Sequence, residues 1–228
     1  MTTRWRRLIK RFHPEGIPWP ASLFYNTISG SDIFLRHYEI VAQDLSRYGD
    51  ANHILDIGTG PGRLLVELRK LFPQASLFGA DISPAMIEQA KKNLDASGCG
   101  NNTKVDIANV TKLPYDDATF DLVISTGSLH HWKDPIPALS EIHRVTKPGG
   151  YALMYDLVRK MPDSVRDEVR SKFGGFRLAL LWLHSFEEPF FSPEEMEALG
   201  KESDFTVEGT RFVGALCCLI LMKSSVQT

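Results

Sequence analysis

At 228 residues the chain is long for one average domain and short for two, and with 43% hydrophobic and 24% charged residues it can bury a sizeable core, which excludes long disorder. A net charge of −2 argues against the basic stripe of a general nucleic-acid binder. No segment approaches the roughly 18 apolar residues of a membrane span, and three cysteines without metal-ligand spacing suit buried thiols in a cytoplasmic protein.

Residues 1–50 read as a helical preface. Within residues 4–12, Trp5, Leu8, Ile9 and Phe12 share a helical face, and Arg6, Arg7, Lys10 and Arg11 lie largely elsewhere. Packing of this helix on its own domain is the favoured reading; peripheral contact with an anionic membrane surface is the alternative. The run lacks a signal peptide's apolar stretch.

From residue 51 to 156 strand-like and helix-like segments alternate. His53–Ile57 is a short buried strand that runs into a glycine turn. Arg63–Phe72 is helical, with Leu64, Leu65, Leu68, Leu71 and Phe72 on one face and Pro73 as the stop. Ser76–Asp81 is the second strand. Ser83 is a good N-cap and Pro84 a good first helical residue for a helix to about Ala96, which Gly98 ends. Strands follow at Lys104–Ala108 and Phe120–Ser125, and Asp134-Pro135 opens a helix to Val145. Pro148-Gly149-Gly150 is read as the turn into a fifth strand, Tyr151–Asp156. Regular β-α alternation predicts an α/β, doubly wound, largely parallel sheet.

Residues 157–191 read as a helical, aromatic-rich lid insertion. Residues 192–228 complete the single domain with a helix and a hairpin. Ser192-Pro193-Glu194-Glu195 is a capping box, flanked by Phe191 and Met196 as a hydrophobic staple. Strands near Thr206–Val213 and Ala215–Lys223 meet at Gly214, so the seven-stranded sheet gains one antiparallel strand at its edge. Alternation sends Cys217 and Cys218 to opposite sheet faces.

The chemistry concentrates in Ile54-Leu55-Asp56-Ile57-Gly58-Thr59-Gly60-Pro61-Gly62. Closely spaced glycines after a strand let backbone approach a ligand without obstruction by Cβ. A dinucleotide fingerprint wants Gly or Ala three residues after Gly60, where Arg63 stands. Asp56 at the strand end would repel a pyrophosphate but suits an ammonium. Asp81 closes the second strand and is placed to accept from ribose hydroxyls.

These segments, followed by Leu113-Pro114-Tyr115, Phe120-Asp121-Leu122-Val123 and Val145-Thr146-Lys147-Pro148-Gly149-Gly150, occur in an order that resembles the class I S-adenosylmethionine-dependent methyltransferases. The likeness is to the small-molecule branch that contains the quinone-biosynthesis enzymes, and it covers about residues 50–156. The resemblance implies S-adenosylmethionine as cofactor. Asp56, Gly58 and Gly60 then cradle the methionine end, Asp81 holds the ribose and Ile82 packs on the adenine. Asn109 stands where the family usually has an aspartate facing the adenine amino group, and the Val110 amide meets the ring edge. Ser125 and Thr126 lie near the transferring methyl. The turn Ser125-Thr126-Gly127-Ser128 lacks the Pro-Pro-aromatic pattern of base-modifying enzymes, so no nucleic-acid substrate is expected.

His130 follows at the ligand-bearing edge, and an imidazole with an ordinary pKa of about 6.5 is suited to accept a proton. Loop packing is the bland alternative for the His130-His131 pair. Trp19, Phe24 and Tyr25 in the preface, with Phe173, Phe176, Trp182, Phe186, Phe190 and Phe191 in the lid, suggest a small apolar or aromatic substrate between them. A non-catalytic cofactor-binding protein and a nicotinamide oxidoreductase are the competing functions.

Overall fold

The computed structural model describes residues 32–159, 161–173 and 190–225. The basic helix expected within 4–12, the preface aromatics and the lid residues Phe176, Trp182 and Phe186 lie outside these residues. Seven strands form one sheet: β1 (His53–Ile57), β2 (Ser76–Asp81), β3 (Thr103–Ile107), β4 (Phe120–Thr126), β5 (Thr146–Asp156), β6 (Thr206–Val213) and β7 (Leu216–Met222), in the order β3-β2-β1-β4-β5-β7-β6. The described helices are α1 (Asp32–Leu45), α2 (Arg63–Leu71), α3 (Pro84–Ala96), α4 (Pro135–Val145), α5 (Asp163–Phe173) and α6 (Pro193–Lys201). None is long and apolar enough to cross a membrane.

The sheet separates two apolar layers. Val41 and Leu45 of α1, Leu65 and Leu68 of α2 and Ile87 and Leu94 of α3 pack with Ile54, Leu77 and Ile124 on one face. Leu139 and Ile142 of α4 and Met196 of α6 pack with Leu55, Val123 and Met154 on the other. Adjacent strand residues thus serve opposite layers, as the two-residue repeat demands. Cys217 and Cys218 obey the same rule, one in each layer, both buried, with thiols pushed up to about 12 chiefly by that burial.

The C-terminal hairpin occupies the edge, but its antiparallel strand β7 is not outermost. It lies between β5 and β6, antiparallel to both. The reason is in its composition: Leu216-Cys217-Cys218-Leu219-Ile220-Leu221 is apolar on both faces and buried throughout, whereas β6 carries Glu208, Thr210 and Arg211, is buried only at Val213 and tolerates the edge.

Three local expectations are corrected. Leu71 is 45% exposed, because α2 ends there and Phe72 turns out of the helix to become the buried residue. Pro148-Gly149-Gly150 does not precede β5 but forms an irregularity inside it: Phe120 pairs with Thr146 and Leu122 with Tyr151. Gly149 there has φ +77°, and its amide and the Gly150 carbonyl bond to Lys223 at 2.8 and 2.9 Å, fastening the irregularity to the end of β7. Ser83 occupies the N-cap position of α3, but its side chain makes no capping bond. The capping box at α6 is complete, with the Ser192 and Glu195 amides bonded reciprocally at 2.8 and 3.3 Å.

Helix α1 is tied to the sheet by a buried polar cluster. The Tyr155 hydroxyl donates to Asp44 at 2.7 Å, the Arg211 guanidinium donates to the same carboxylate oxygen, and Arg47 pairs with the other oxygen at 3.3 Å. Arg211 also lies 5.7 Å from the Tyr48 ring centroid. Burial together with the Asp44 charge raises the Tyr155 phenol far above its ordinary range, so it remains a donor. Asp44→Ala leaves Tyr155 and Arg211 without their acceptor and should cost about 2–3 kcal/mol of stability. Urea titration of the two proteins measures it, and a loss below about 0.5 kcal/mol would show that α1 is held by its apolar face alone.

Candidate functional site

The central strand β1 is paired in parallel on both sides, and its register brings three strand ends level. Ile57 pairs with Ala80 of β2 and with Ser125 of β4. The chain winds outward from β1 through β2 to β3, then returns to β4 on the other side, so the strand order reverses between β1 and β4. Loops leaving the carboxyl ends there diverge and open a crevice. A cleft of about 200 Å³ occupies this point, lined among others by Gly58, Gly60, Asp81, Ile82, Asn109, Val110, Thr126 and His130.

The glycine loop is sewn to β2. The Gly58 and Thr59 amides donate to the Ala80 carbonyl at 2.8 and 3.1 Å, and the Gly60 amide donates to Asp81 Oδ2 at 2.9 Å. Gly58 has φ +69°, and a Cβ there would meet Ser128 Oγ at 2.4 Å. Gly62, at φ +72°, enters α2 where a Cβ would stand 3.1 Å from that of Ala90. Both positions therefore require glycine for conformation as well as space.

Asp56 lies beneath the loop beside a second, smaller cavity of about 20 Å³, which it lines with Gly58, Gly60 and Thr126. It is 2% exposed, and Thr59 Oγ1 donates to its Oδ2 at 2.7 Å. Burial, opposed by the Thr59 bond and reinforced by the Asp81 charge, pushes its carboxyl up to about 7. No cation pairs with it among the described residues. Asp81 accepts the Gly60 amide on Oδ2 and the Ser83 amide on Oδ1 at 2.8 Å, joining the two ligand-side loops. Its carboxyl is also raised by burial, against the pull of these amides.

Two expected contacts take a different local form. Asn109 lines the cleft, but its Oδ1 accepts from both the amide and the hydroxyl of Thr111 at 2.9 Å, closing its own turn. The capacity that remains to its side chain is as a donor through Nδ2. Ser125, paired with Ile57 and Met154, lies beneath the floor rather than in the lining, which Thr126 supplies instead. The Ser125 and Thr126 hydroxyl oxygens are buried without a hydrogen-bond partner among the described residues.

His130 lies in a single turn of 3-10 helix, Leu129–His131, and is 4% exposed. Its Nδ1 is 2.8 and 2.9 Å from the two oxygens of Asp156, the last residue of β5. The same carboxylate accepts the His130 amide and the Leu157 amide, each at 2.8 Å. Nε2 is buried without a partner among the described residues, an arrangement that costs about 1–3 kcal/mol in an otherwise inert loop. The rings of His131 and Phe190 stand 3.9 and 4.3 Å from the imidazole, centroid to centroid. Phe190 therefore meets the site, while Phe191 is part of the core beside α6.

Asp156, Thr59 and Ser128 escaped the sequence reading. Thr59 was within reach of it, three residues after Asp56 and inside the motif. Asp156 is 26 residues from His130, and their meeting depends on the pairing of β4 with β5.

A family model described as a methyltransferase domain matches residues 49–187. A demethylmenaquinone methyltransferase of Symbiobacterium thermophilum is 37% identical over 115 residues, covering 50% of this chain and 45% of that protein. One from Thermus thermophilus is 28% identical over 181 residues, covering 73% and 80%. The chain spans less than half the length of several of the curated relatives it matches. A Methanococcus maripaludis structure assigned to the S-adenosyl-L-methionine-dependent methyltransferases superimposes with a TM-score of 0.70 at 24% identity, covering 91% of this chain and 94% of that one, which shows the shared fold.

The state of Asp56 has a consequence for stability. Its carboxyl binds a proton more tightly when folded, near 7, than at the ordinary value of 3.8. Its contribution is therefore full below the unfolded value and is lost as pH rises through about 7. Between pH 5 and 6.5 the ligand-free protein should lose about 1.4 kcal/mol per pH unit from this group. The Asp56→Asn protein should lack that component. Equal slopes in denaturation curves of the two proteins would show that Asp56 is ionised throughout.

Proposed function

Since the chain belongs to the methyltransferase-domain family, its model spanning residues 49–187, we propose that it is an S-adenosylmethionine-dependent methyltransferase acting on a small apolar or aromatic acceptor. The observation that carries this reading is the buried carboxylate of Asp56 without a cation, next to a cradle at Gly58 that any Cβ would fill. A site of that kind favours a ligand that brings its own ammonium and lies against bare backbone. The likeness to demethylmenaquinone methyltransferases supports an aromatic acceptor of the quinone kind in its reduced, hydroxyl-bearing form.

In this reading Asp56, Gly58 and Gly60 hold the methionine end and Asp81 takes the ribose hydroxyls on its remaining lone pairs. Ile82 lies against the adenine, and the Val110 amide faces its edge. Asn109, with its oxygen engaged by Thr111, donates from Nδ2 to a ring nitrogen instead of accepting from the adenine amino group. Ser125 lies beneath the floor, and Thr126 takes its place in the lining. The bound cofactor supplies an electrophilic methyl group on a sulfonium. The protein's task is then to align the acceptor, which is worth roughly 7–11 kcal/mol, with His130 receiving the acceptor's proton for a further 10²–10⁴-fold or so.

Calorimetry should show S-adenosylmethionine and S-adenosylhomocysteine competing for one site that does not take NAD; tight NAD binding without either sulfur ligand would overturn the reading. Asp81→Ala should weaken S-adenosylhomocysteine about tenfold or more, since a charge-assisted hydrogen bond is worth about 1.5–3 kcal/mol. An unchanged dissociation constant would place the ribose elsewhere.

A further inference from the structure

The imidazole of His130 is held on every side but one. Asp156 accepts its amide and its Nδ1 through one carboxylate, so backbone and ring are fixed by the same group. The Leu157 amide donates to that carboxylate as well. The His131 and Phe190 rings flank the imidazole and oppose its rotation. A carboxylate that takes three N–H donors has no proton to give, so the hydrogen bond to Nδ1 requires the proton on Nδ1. The neutral ring then has its lone pair on Nε2, the atom that is buried and unpartnered among the described residues.

We propose that Asp156 is a positioning residue that locks His130 in the Nδ1–H tautomer, so that Nε2 takes the proton from a neutral hydroxyl of the methyl acceptor. The inference rests on the methyltransferase reading for its acceptor and on the geometry alone for its tautomer. In the step, the acceptor's O–H bond breaks with its electron pair left on oxygen, and the proton forms an N–H bond at Nε2. Asp156 remains a carboxylate and faces the imidazolium that results.

The surrounding charge favours a neutral acceptor. Asp81 and Asp134 line the cleft, Asp56 lies beneath it, and Lys133 is the one ammonium in its described lining. The carboxylates outnumber the ammonium and disfavour an anionic acceptor, whereas a hydroxyl enters neutral and needs a base to become a nucleophile. Neither His130 nor Asp156 suffices alone: without the carboxylate, the proton can sit on Nε2 and block the acceptor site.

The test begins with two-bond ¹H–¹⁵N spectra of histidine-labelled protein, with and without S-adenosylhomocysteine. Neutral His130 should show the Nδ1–H pattern, opposite to the preference of free histidine; the Nε2–H pattern would overturn the proposal without reference to activity. Asp156→Asn, which presents an amide donor, should shift the ring to Nε2–H. It should also lower transfer of labelled methyl to catechol by on the order of 10²-fold or more, with S-adenosylhomocysteine affinity within about twofold of the native value. In a His130→Gln background Asp156→Asn should add little, because the two act as one unit. Equal losses in both backgrounds would reduce Asp156 to a structural role. Absence of transfer to catechol by native protein that binds S-adenosylhomocysteine would overturn the hydroxyl acceptor. Absence of binding itself would instead overturn the methyltransferase reading and leave the tautomer result standing. If Asp156→Asn fails to fold, the native tautomer decides.

Discussion

The site depends on an ionisable group buried at the end of the central strand. β1 is covered by a neighbour on each side and a helical layer on each face, so Asp56 has little water and, among the described residues, a side-chain hydrogen bond from Thr59. Desolvation raises its carboxyl to about 7, and the nearby Asp81 adds to the rise. Such a position is poor for the ligand-free protein and good for binding a cation, because the field of a desolvated carboxylate is weakly screened. The rest of the architecture keeps that carboxylate in place: parallel pairing levels the strand ends, and the glycine loop closes over it without side chains.

A second carboxylate, Asp81, performs a mechanical task that its proposed role in ribose binding does not convey. By taking the Gly60 and Ser83 amides, it fixes the loop after β1 to the loop after β2. Two segments that leave the sheet independently thereby become one wall of the cleft. The third, Asp156, does the same across the crevice, taking amides from the turn after β4 and from the exit of β5. Acidic residues at strand ends thus serve as acceptors for amides that the sheet ladder no longer pairs, which a parallel sheet must satisfy at its carboxyl edge.

Beyond the cleft, the segment after β5 is fastened to the beginning of α6. The Arg159 amide donates to the Phe191 carbonyl at 3.2 Å, and the Arg159 guanidinium donates to Glu195, whose carboxylate also caps Ser192. Phe190 reaches His130 from this junction. Near the start of the same region, Val169 of α5 packs on Ala215 with Ile40 of α1 beside it. The elements bordering the proposed acceptor side are therefore anchored at both described ends on the body of the domain.

Sequence alone determined the elements whose causes are local. Glycine spacing, Pro84 and Pro135 at helix starts, the capping box at Ser192 and the short apolar runs of β1 and β4 act within a few residues, and they marked segments that line the cleft as well as the winding of the sheet. The apolar run of β7 was equally legible as a strand, but its place inside β6 was not, because that follows from which strand best tolerates burial on both faces. Leu71 kept its helical spacing yet fell on solvent when α2 ended. Asn109 was visible as a departure from an aspartate, while the loss of its acceptor capacity to Thr111 depended on the turn's geometry. The pairing of His130 with Asp156 was decided only in three dimensions. No local rule links residues 26 apart, and it took the β4–β5 register and two backbone amides on one carboxylate to bring the ring of a histidine in a loop within hydrogen-bond distance of Asp156.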